Sequence, residues 1–465
     1  MNDQLRSGWT TMPLRNVGVW TGGGTPSKAD PRFWTGGTVP WVSPKDMKIP
    51  VLHGSEDYIT DVAVSESATR MVASGSVLVV TRSGILERTL PLAVNAVPVA
   101  LNQDIKAITP VDGVDVRFLY WLLVWRGDEI LRTCTKAGTT VASVETSRLH
   151  DLEVPVAPLA EQRRIVAALE EHLSDLDAAV AALERARANL RRLRAATTRA
   201  AVDGSLLSDS GSNDATQGPD PWAPAVPPLW TWATVEDVAE VVEYGTSAKT
   251  REDAEGIPVL RMGNIVDGSL SWENLKYLPA SHDEFPRLML RAGDVLFNRT
   301  NSPELVGKTA VYRAGSRPAS FASYLLRVRL TPQLHPEFFS AYVSSVYGRA
   351  WVATVVSQQV GQANVNGTKL RALRVPLPPA DEQLALVTEM ERRLAASERA
   401  AADIDIQLAR AARLRQSILE RAFSGRLVAQ DPNDEPAPAL LPRLPSSPAP
   451  SARSSARGRS TRTRA

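Results

Sequence analysis

The chain has 465 residues, of which 43% are apolar and 22% charged, a balance typical of soluble globular proteins with roughly two to four domains. A single cysteine, Cys134, excludes an internal disulfide and a cysteine-based zinc site. There is no run of about eighteen apolar residues and no signal peptide at the first residues, so we expect a cytoplasmic protein without a membrane span.

The sequence contains an internal repeat. The stretch LHDLEVPVAPLAEQRRIV begins at Leu149, and a near-copy, LRALRVPLPPADEQLALV, begins at Leu370. Seven of their first fourteen positions are identical, whereas unrelated segments would share about one. The same offset of 221 residues relates Trp9 to Trp230. About half of the protein is therefore a duplicate of the other half.

The first copy starts with a strand-rich region, residues 1–157. Short apolar runs such as GSVLVVT are bounded there by Gly, Asp, Asn and Pro, which indicates strands and turns. A long helix is predicted over 158–202, because Pro158 suits a first helical turn and Glu161 favours the positive end of the helix dipole. Gly204 supplies a residue that can end the helix.

The second copy has the same order of elements. The polar, Pro/Gly/Ser-rich segment 203–229 is predicted to be a linker. A second strand-rich region follows over 230–379 and a second long helix over 380–425. The remaining residues, 426–465, are predicted to be a disordered tail; from Pro436 onward it holds six arginines and no acidic residue, so the rest of the chain is net acidic although the whole has a charge of +2.

Apolar residues recur every seven positions along the first helix, and the second helix has a weaker seam that is interrupted by Ser397. This pattern predicts that the two helices pair with each other as an antiparallel coiled coil. The predicted seam consists of Leu169, Leu173, Leu176, Val180, Leu183 and Leu190 in the first helix and Leu394, Ile404 and Leu408 in the second. The alternative is that each helix packs separately against its own domain. A seam of this length is more than one small domain could cover.

Motifs for catalysis or for cofactors are absent from the sequence. Gly307-Lys308-Thr309 resembles the end of a phosphate-binding loop, but Ser302 stands where that motif requires glycine. The five histidines are isolated, so no metal site is predicted. We find no methyltransferase motif, nuclease cluster or serine-hydrolase elbow. The sequence favours a non-catalytic binding protein without a cofactor.

Two loops carry candidate DNA-binding residues. GSVLVVTRSG (75–84) and GDVLFNRTNS (293–302) align at an offset of 218, and each apolar strand leads into a loop with arginine beside small polar residues. Arginine recognises guanine and asparagine recognises adenine through paired hydrogen bonds. The candidates are Arg82 and Ser83 in the first loop and Asn298, Arg299, Thr300 and Asn301 in the second. The alternative is that both loops are solvated turns with a structural arginine.

This arrangement resembles the DNA-specificity subunits of type I restriction-modification systems. The resemblance covers nearly the whole chain and is carried by LEVPVAPLAEQ with LRVPLPPADEQ, by GDVLFNRTNS, and by TGGGTPSKADPRFWTGGTVPWVSPKDM with its counterparts YGTSAKT and IPVLRMGNI. Ala157 departs from the pattern, because Pro378 stands at the matching place. The glycine turns of these stretches add further DNA-binding candidates: Thr25, Ser27, Lys28, Thr246 and Lys249.

The resemblance implies an α+β fold with a pseudo-two-fold internal repeat, in which a pair of long antiparallel coiled-coil helices separates two strand-rich target-recognition domains. It implies a non-catalytic subunit that reads a bipartite, asymmetric site on double-stranded DNA. Its implied partners are two adenine methyltransferase (modification) subunits and endonuclease/translocase (restriction) subunits. The competing hypothesis is a non-catalytic coiled-coil scaffold that binds only proteins.

Overall fold

The computed structural model describes residues 6–136, 141–207, 215–252, 255–302, 305–359 and 362–439. It divides into two compact units: Met1–Ala181 with Leu408–Ala465, and Ala182–Gln407. Both divisions fall inside the predicted long helices, so each unit contains one strand-rich region and one end of each helix. The six arginines that follow Pro436 lie outside the described residues. The mixed strand and helix content of both units confirms an α+β fold.

The first unit contains one set of strands and three of its own helices, followed by a long helix that continues into the second unit. Its strands are β1 (Thr10–Pro13), β2 (Gly18–Gly22), β3 (Val39–Val42), β4 (Val51–Leu52), β5 (Asp57–Ile59), β6 (Met71–Val72), β7 (Val77–Val80), β8 (Leu92–Asn95), β9 (Val99–Leu101), β10 (Ile105–Pro110) and β11 (Glu153–Val156). Its helices are α1 (Asp61–Glu66), α2 (Val116–Cys134), α3 (Thr146–His150) and the long α4 (Leu159–Val202).

Two sheets organise this unit. One has the order β2-β10-β7-β8-β4 and the other β5-β3-β9-β6. All four residues of β7 are buried, so this strand reads as a continuous apolar run rather than an alternating one. Strand β1 pairs with β11, which places Thr10 opposite Val156 just before α4 begins. The chain therefore leaves the strand-rich region through a strand that is tied to its own start.

The second unit repeats this plan. Its strands are β12 (Thr231–Thr234), β13 (Ala239–Tyr244), β14 (Ile257–Leu260), β15 (Ile265–Val266), β16 (Ser269–Leu270), β17 (Lys276–Leu278), β18 (Val295–Asn298), β19 (Thr300–Asn301), β20 (Thr309–Val311), β21 (Ser320–Phe321), β22 (Leu325–Leu330), β23 (Ser357–Gln359), β24 (Gln362–Asn364) and β25 (Arg374–Leu377). Its helices are α5 (Val235–Val238), α6 (Pro336–Ser344), α7 (Val346–Val355), α8 (Gly367–Arg371) and the long α9 (Ala380–Phe423), which continues into the first unit.

The sheets of the second unit are smaller. Their orders are β13-β22-β18-β20, β17-β14-β21, β19-β24-β23 and β15-β16. Strand β18, like β7, is buried at all four residues. Strand β12 pairs with β25 and places Thr231 opposite Leu377. This register equals that of β1 and β11 after a shift of 221 residues, so the duplication found in the sequence is also a duplication of strand pairing.

The long helices run antiparallel within the second unit. Arg187 lies 3.4 Å from Asp405, and Arg194 lies 3.1 Å from Glu398. Residue numbers thus increase by seven along α4 where they decrease by seven along α9. None of the helices in the described part of the chain is long and apolar enough to cross a membrane.

All nine predicted seam residues are buried or half-buried. Leu169 and Leu173 lie in the core of the first unit, and Leu394 packs against the core of the second. The other six, Leu176, Val180, Leu183, Leu190, Ile404 and Leu408, are partly buried. The helices thus combine both arrangements considered from the sequence: they pair with each other, and their ends also pack on strand-rich cores.

A buried glutamine joins each long helix to its strand-rich region. The Gln162 side chain accepts a hydrogen bond from the Asp115 backbone N–H (2.8 Å) and donates to the carbonyls of Gly113 (3.0 Å) and Ala157 (2.8 Å). Gln383 makes the same three bonds, to His335 (2.7 Å), Gln333 (2.9 Å) and Pro378 (2.8 Å). We call these contacts the glutamine junctions, and they account for the glutamine that recurs in both copies of the repeat.

Glu161, predicted to lie in the first helical turn near the positive end of the helix dipole, is there and is buried, with 1% of its surface exposed. Burial raises the pKa of this carboxyl group. The groups beside it include Trp9, Gln430 and the Arg164–Asp434 ion pair. Gln430 donates to the Ser7 carbonyl at 2.9 Å, and the Ala437 N–H donates to the Gly8 carbonyl at 2.8 Å.

Segment 203–229, predicted to be a linker, packs onto the second unit along its described residues, 203–207 and 215–229. Leu206 and Val226 are buried in the core of that unit, and Ala223 is also buried. The described part of the predicted tail behaves in the same way, since Ala437 is fully buried in the core of the first unit. Composition alone indicates an open chain, because these few apolar side chains are diluted by Pro, Gly and Ser.

We expect Gln162→Ala to lower the free energy of unfolding by about 1–3 kcal/mol, because it leaves buried backbone groups without hydrogen-bond partners. Gln383→Ala should have the same effect. The matched control is Gln416→Ala, since Gln416 is exposed on α9 and should change stability by less than about 0.5 kcal/mol. Guanidinium denaturation followed by tryptophan fluorescence measures the difference; equal stabilities for Gln162→Ala and Gln416→Ala would contradict the junction.

Candidate nucleic-acid interface

The predicted DNA-binding loops begin at the ends of the two buried strands. Strand β7 is held between β10 and β8, and β18 between β22 and β20. Because both strands are internal in their sheets, the loops that follow them start from fixed positions. Thr81, Arg82 and Ser83 follow β7, and Arg299 with the short strand β19 follows β18.

A hairpin that the sequence analysis missed lies beside each loop. In the second unit β24 pairs with β19 on one side and with β23 on the other, which places Thr300 opposite Asn364. In the first unit the segment around Ser143 bridges Arg82 in the same way. The signal was present in the sequence, because TKAGTTVASV (135–144) and VSQQVGQANV (356–365) are related by the offset of 221. Residues 137–140 and 360–361 lie outside the described chain.

A third segment, a tight turn, connects each loop to the glycine turn. In the first unit the Arg82 N–H donates to the Asp104 carbonyl (3.3 Å), and the Thr25 hydroxyl bonds to the Gln103 side chain. In the second unit the Arg299 N–H donates to the Tyr324 carbonyl at 3.1 Å. Tyr324 occupies the place of Gln103 after a shift of 221 residues. Both side chains are exposed.

Four segments therefore meet in each unit, and we call each meeting place a loop cluster. The first loop cluster consists of residues 23–28, 81–83, 102–104 and 141–144. The second consists of residues 245–249, 299–302, 322–324 and 356–359 with 362–365. The structure thus brings together the candidates that the sequence had placed in separate motifs.

The candidates of the first loop cluster lie mostly on the surface. Thr25, Ser27, Lys28 and Arg82 are exposed, and no carboxylate in the described part of the chain pairs with Arg82. Ser83 is half-buried, and its hydroxyl accepts a hydrogen bond from the Ile85 N–H at 3.4 Å. Lys28 and Arg82 supply positive charge that phosphates attract.

The candidates of the second loop cluster divide into exposed and supporting residues. Lys249 is exposed, and Thr300 and Asn301 are half-buried. Asn298 is fully buried, and its amide donates to the Leu305 carbonyl at 3.2 Å. Thr246 is also buried, and its hydroxyl accepts from the Ala248 N–H at 3.0 Å. We therefore leave Asn298 and Thr246 out of the proposed DNA contacts.

The Arg299 side chain is directed into the protein. Its guanidinium donates to the Ser323 carbonyl (3.3 Å) and to the Asn364 side chain (3.4 Å), and its Nε is buried. The guanidinium carbon also lies 4.9 Å from the ring centre of Tyr244, a cation–π contact. Both terminal nitrogens of the Arg299 guanidinium thus already donate a hydrogen bond within the second unit.

Among the described residues, no group of three or more histidine, cysteine, aspartate or glutamate side chains could hold a metal ion. The loop clusters consist of hydroxyl, amide and cationic side chains instead. Such groups recognise base edges and phosphates by hydrogen bonding and charge.

Comparison with known proteins identifies the family. The family described as "Type I restriction modification DNA specificity domain" matches residues 6–186 and 227–396, one match in each copy of the repeat. The chain belongs to this family. The resemblance identified from the sequence is confirmed, and the two matches each include a strand-rich region and the start of a long helix.

Curated members of the family show the extent of the similarity. The chain is 44% identical to the type I restriction enzyme EcoR124I/EcoR124II specificity subunit of Escherichia coli over 163 residues, 35% of this chain and 40% of that protein. It is 29% identical to the EcoKI specificity subunit of Escherichia coli (strain K12) over 298 residues, 63% of this chain and 62% of that protein. In both cases the chain spans less than two thirds of the relative.

Two solved structures share the fold. A chain from a study of complex assembly and conformational transition of the type I R-M system aligns with a TM-score of 0.66, and the crystal structure of the HsdS subunit from Thermoanaerobacter tengcongensis aligns with 0.53. Each is 20% identical and covers 91% of this chain and 99% of its own. At this identity the comparison establishes the fold alone.

Gly245→Ala tests the close approach on which the second loop cluster depends. A Cβ at Gly245 would overlap the carbonyl oxygen of Phe321, so we expect a loss of about 1–3 kcal/mol of unfolding free energy. Gly263→Ala is the matched control, because a Cβ there meets no atom within 4 Å. Urea denaturation of the two variants checks this, and the idea fails if both are as stable as the unsubstituted protein.

Proposed function

We propose that this chain is the DNA-specificity subunit of a type I restriction-modification complex and works in the cytoplasm. In this role it reads a bipartite, asymmetric sequence on double-stranded DNA. It directs adenine methylation by modification subunits and cleavage by restriction subunits, and it has no catalytic activity or cofactor of its own. The proposal rests on the family, on the two loop clusters and on the absence of catalytic motifs from the sequence.

The observation that carries this proposal is the recurrence of one loop arrangement with different side chains. Both units assemble the same four segments at equivalent positions. Thr25 and Lys28 recur as Thr246 and Lys249, whereas Arg82 and Ser143 are replaced by Thr300 and Asn364. Loop clusters with the same backbone arrangement and different polar side chains suit the recognition of two different half-site sequences.

The polar side chains that each loop cluster leaves exposed or half-buried fit base recognition. Arg82 can reach guanine with two parallel hydrogen bonds, and the amide of Asn301 can pair with adenine. Lys28 and Lys249, which recur at equivalent exposed positions, suit phosphates, which fix register without reading sequence.

We expect Arg82→Ala and Asn301→Ala each to weaken the base preference at one half-site, and each at a different half-site. Losing one base contact costs about 1–3 kcal/mol, so binding to the cognate site should fall roughly ten- to a hundredfold more than binding to random DNA. Competition binding with the assembled complex measures the affinities, and mapping of methylated sites measures the base preference at each half-site. Arg410→Ala is the control, because Arg410 is exposed on α9 outside both loop clusters.

Three outcomes would count against these assignments. Equal losses on cognate and random DNA would make the residue a phosphate contact. A loss of base preference at both half-sites after one substitution would contradict the hypothesis that the two loop clusters recognise their half-sites independently. If the unsubstituted complex shows no sequence preference at all, the scaffold hypothesis replaces the DNA-specificity function.

The partner proposal is that two copies of an adenine methyltransferase subunit bind equivalent surfaces of the long helices. The run Arg-Leu-Arg occurs in both, at residues 192–194 and 413–415. Its last arginine is an ion-pair residue in each case, since Arg194 pairs with Glu398 and Arg415 with Asp177.

The leucines in this run have no comparable role within the chain. Leu193 is 51% exposed and Leu414 is 50% exposed. An exposed apolar side chain that recurs at the same position in both copies fits a surface that a partner covers. The arginine before each leucine, Arg192 or Arg413, is also exposed, so a partner surface with an apolar pocket and an acidic rim would be complementary.

We expect Leu193→Asp and Leu414→Asp each to reduce the number of bound methyltransferase subunits from two to one, and the double variant to bind none. Native mass spectrometry of the reconstituted complex counts the subunits. Leu384→Asp is the matched control, because Leu384 is 58% exposed on α9 but Arg163 stands at its repeat position. Two bound subunits on the double variant would contradict these docking positions.

A further inference from the structure

Tyr244 and Arg299 hold the β23–β24 hairpin to the rest of the second loop cluster. The Tyr244 hydroxyl accepts a hydrogen bond from the Gly367 N–H at 2.9 Å, three residues after β24 ends. The Tyr244 ring lies under the Arg299 guanidinium, which bonds to Asn364 on β24 and to Ser323. The Asn364 amide in turn donates to the Thr300 hydroxyl at 3.0 Å.

The base of this arrangement is itself anchored. Glu243, the neighbour of Tyr244 on β13, forms an ion pair with the buried Arg327 and another with Arg287 at 2.7 Å. Arg371 on α8 donates to the Val242 carbonyl at 2.6 Å. Tyr244 therefore stands on a strand that is held by pairing with β22 and by Arg371, whereas the hairpin that it contacts belongs to a different sheet.

The first unit shows that the fold does not require these side-chain contacts. The same backbone hydrogen bond joins the hairpin to the loop in both units. The Val144 N–H donates to the Thr81 carbonyl (2.8 Å), and the Val365 N–H donates to the Arg299 carbonyl (2.9 Å). At the place of Tyr244, however, the first unit has Gly23, which has no side chain. The contacts of Tyr244 and Arg299 are thus an addition specific to the second unit.

We propose that Tyr244 and Arg299 are positioning residues that set the pose of the β23–β24 hairpin, so that this hairpin and β19 face one DNA half-site together. The inference rests on the proposed function and goes further by assigning the sequence preference of one half-site to residues that touch no base. It replaces the role of base reader that the sequence suggested for Arg299.

Tyr244→Phe tests the inference with the smallest change, because it removes the hydrogen bond to Gly367 and keeps the ring beneath Arg299. In the protein without DNA, hydrogen–deuterium exchange at residues 362–367 should rise about two- to tenfold, as expected for one lost hydrogen bond. Arg299→Lys, which keeps the charge and loses the planar fork, should raise exchange in the same segment. The control is Tyr277→Phe, because Tyr277 is a half-buried tyrosine of the same unit on β17, outside the second loop cluster.

The second measurement maps methylated sites with the assembled complex. Both variants should relax base preference at one half-site about two- to tenfold and leave the other half-site unchanged, with thermal unfolding midpoints close to that of the unsubstituted protein. Unchanged exchange in the hairpin would overturn the inference without any DNA experiment. Faster exchange with unaltered half-site preference would also overturn it, because the contacts would then serve stability alone. Absence of any sequence preference in the unsubstituted complex would instead refute the proposed function.

Discussion

The glutamine junctions are the constraint on which the rest of the structure depends. Each buries one amide side chain whose donors and acceptor are all used by backbone groups, at the point where a strand-rich region ends and a 44-residue helix begins. A buried amide that satisfies three backbone groups fixes direction as well as distance, because each bond loses strength when its geometry deteriorates. The orientation of each helix against its sheet is therefore set by hydrogen bonds that a purely apolar contact could not replace.

The two copies of the repeat agree in their strand pairing and differ in side chains elsewhere in each unit. The β1–β11 and β12–β25 registers agree residue for residue. In the second unit, in contrast, Asp294 and Arg327 form a buried ion pair, whereas Ser76 and Lys106 stand at the matching places in the first unit. Burial, with Arg329 beside it, lowers the pKa of Arg327 to about 10, so the guanidinium remains charged at neutral pH. Such ion pairs contribute little net stability compared with apolar packing, and their value lies in fixing one arrangement.

Sequence reasoning found what depends on periodicity and spacing. The repeat, both long helices, their pairing and the two buried strands were all visible, because they follow from patterns that recur along the chain. It could not find what depends on three-dimensional neighbours. Asn298 and Arg299 look like readers in the sequence, and only the structure shows one buried and the other bonded to Ser323 and Asn364. Segment 203–229 was misjudged for a related reason: whether Leu206 and Val226 meet a core is decided by the fold and not by local composition.

The way the chain ends are used suggests how such a protein arose. In the second unit, Gly204 at the end of α4 lies against Trp230, which follows it in the sequence. In the first unit, Gly425 at the end of α9 lies against Trp9, which precedes it by almost the whole sequence. Each unit is thus completed by a helix end that belongs to the other half of the sequence. A half-length ancestor could have satisfied the same contacts only by exchanging helix ends between two identical molecules. Gene fusion would then have made dimerisation unnecessary. Each recognition surface could then have changed in sequence independently of the other.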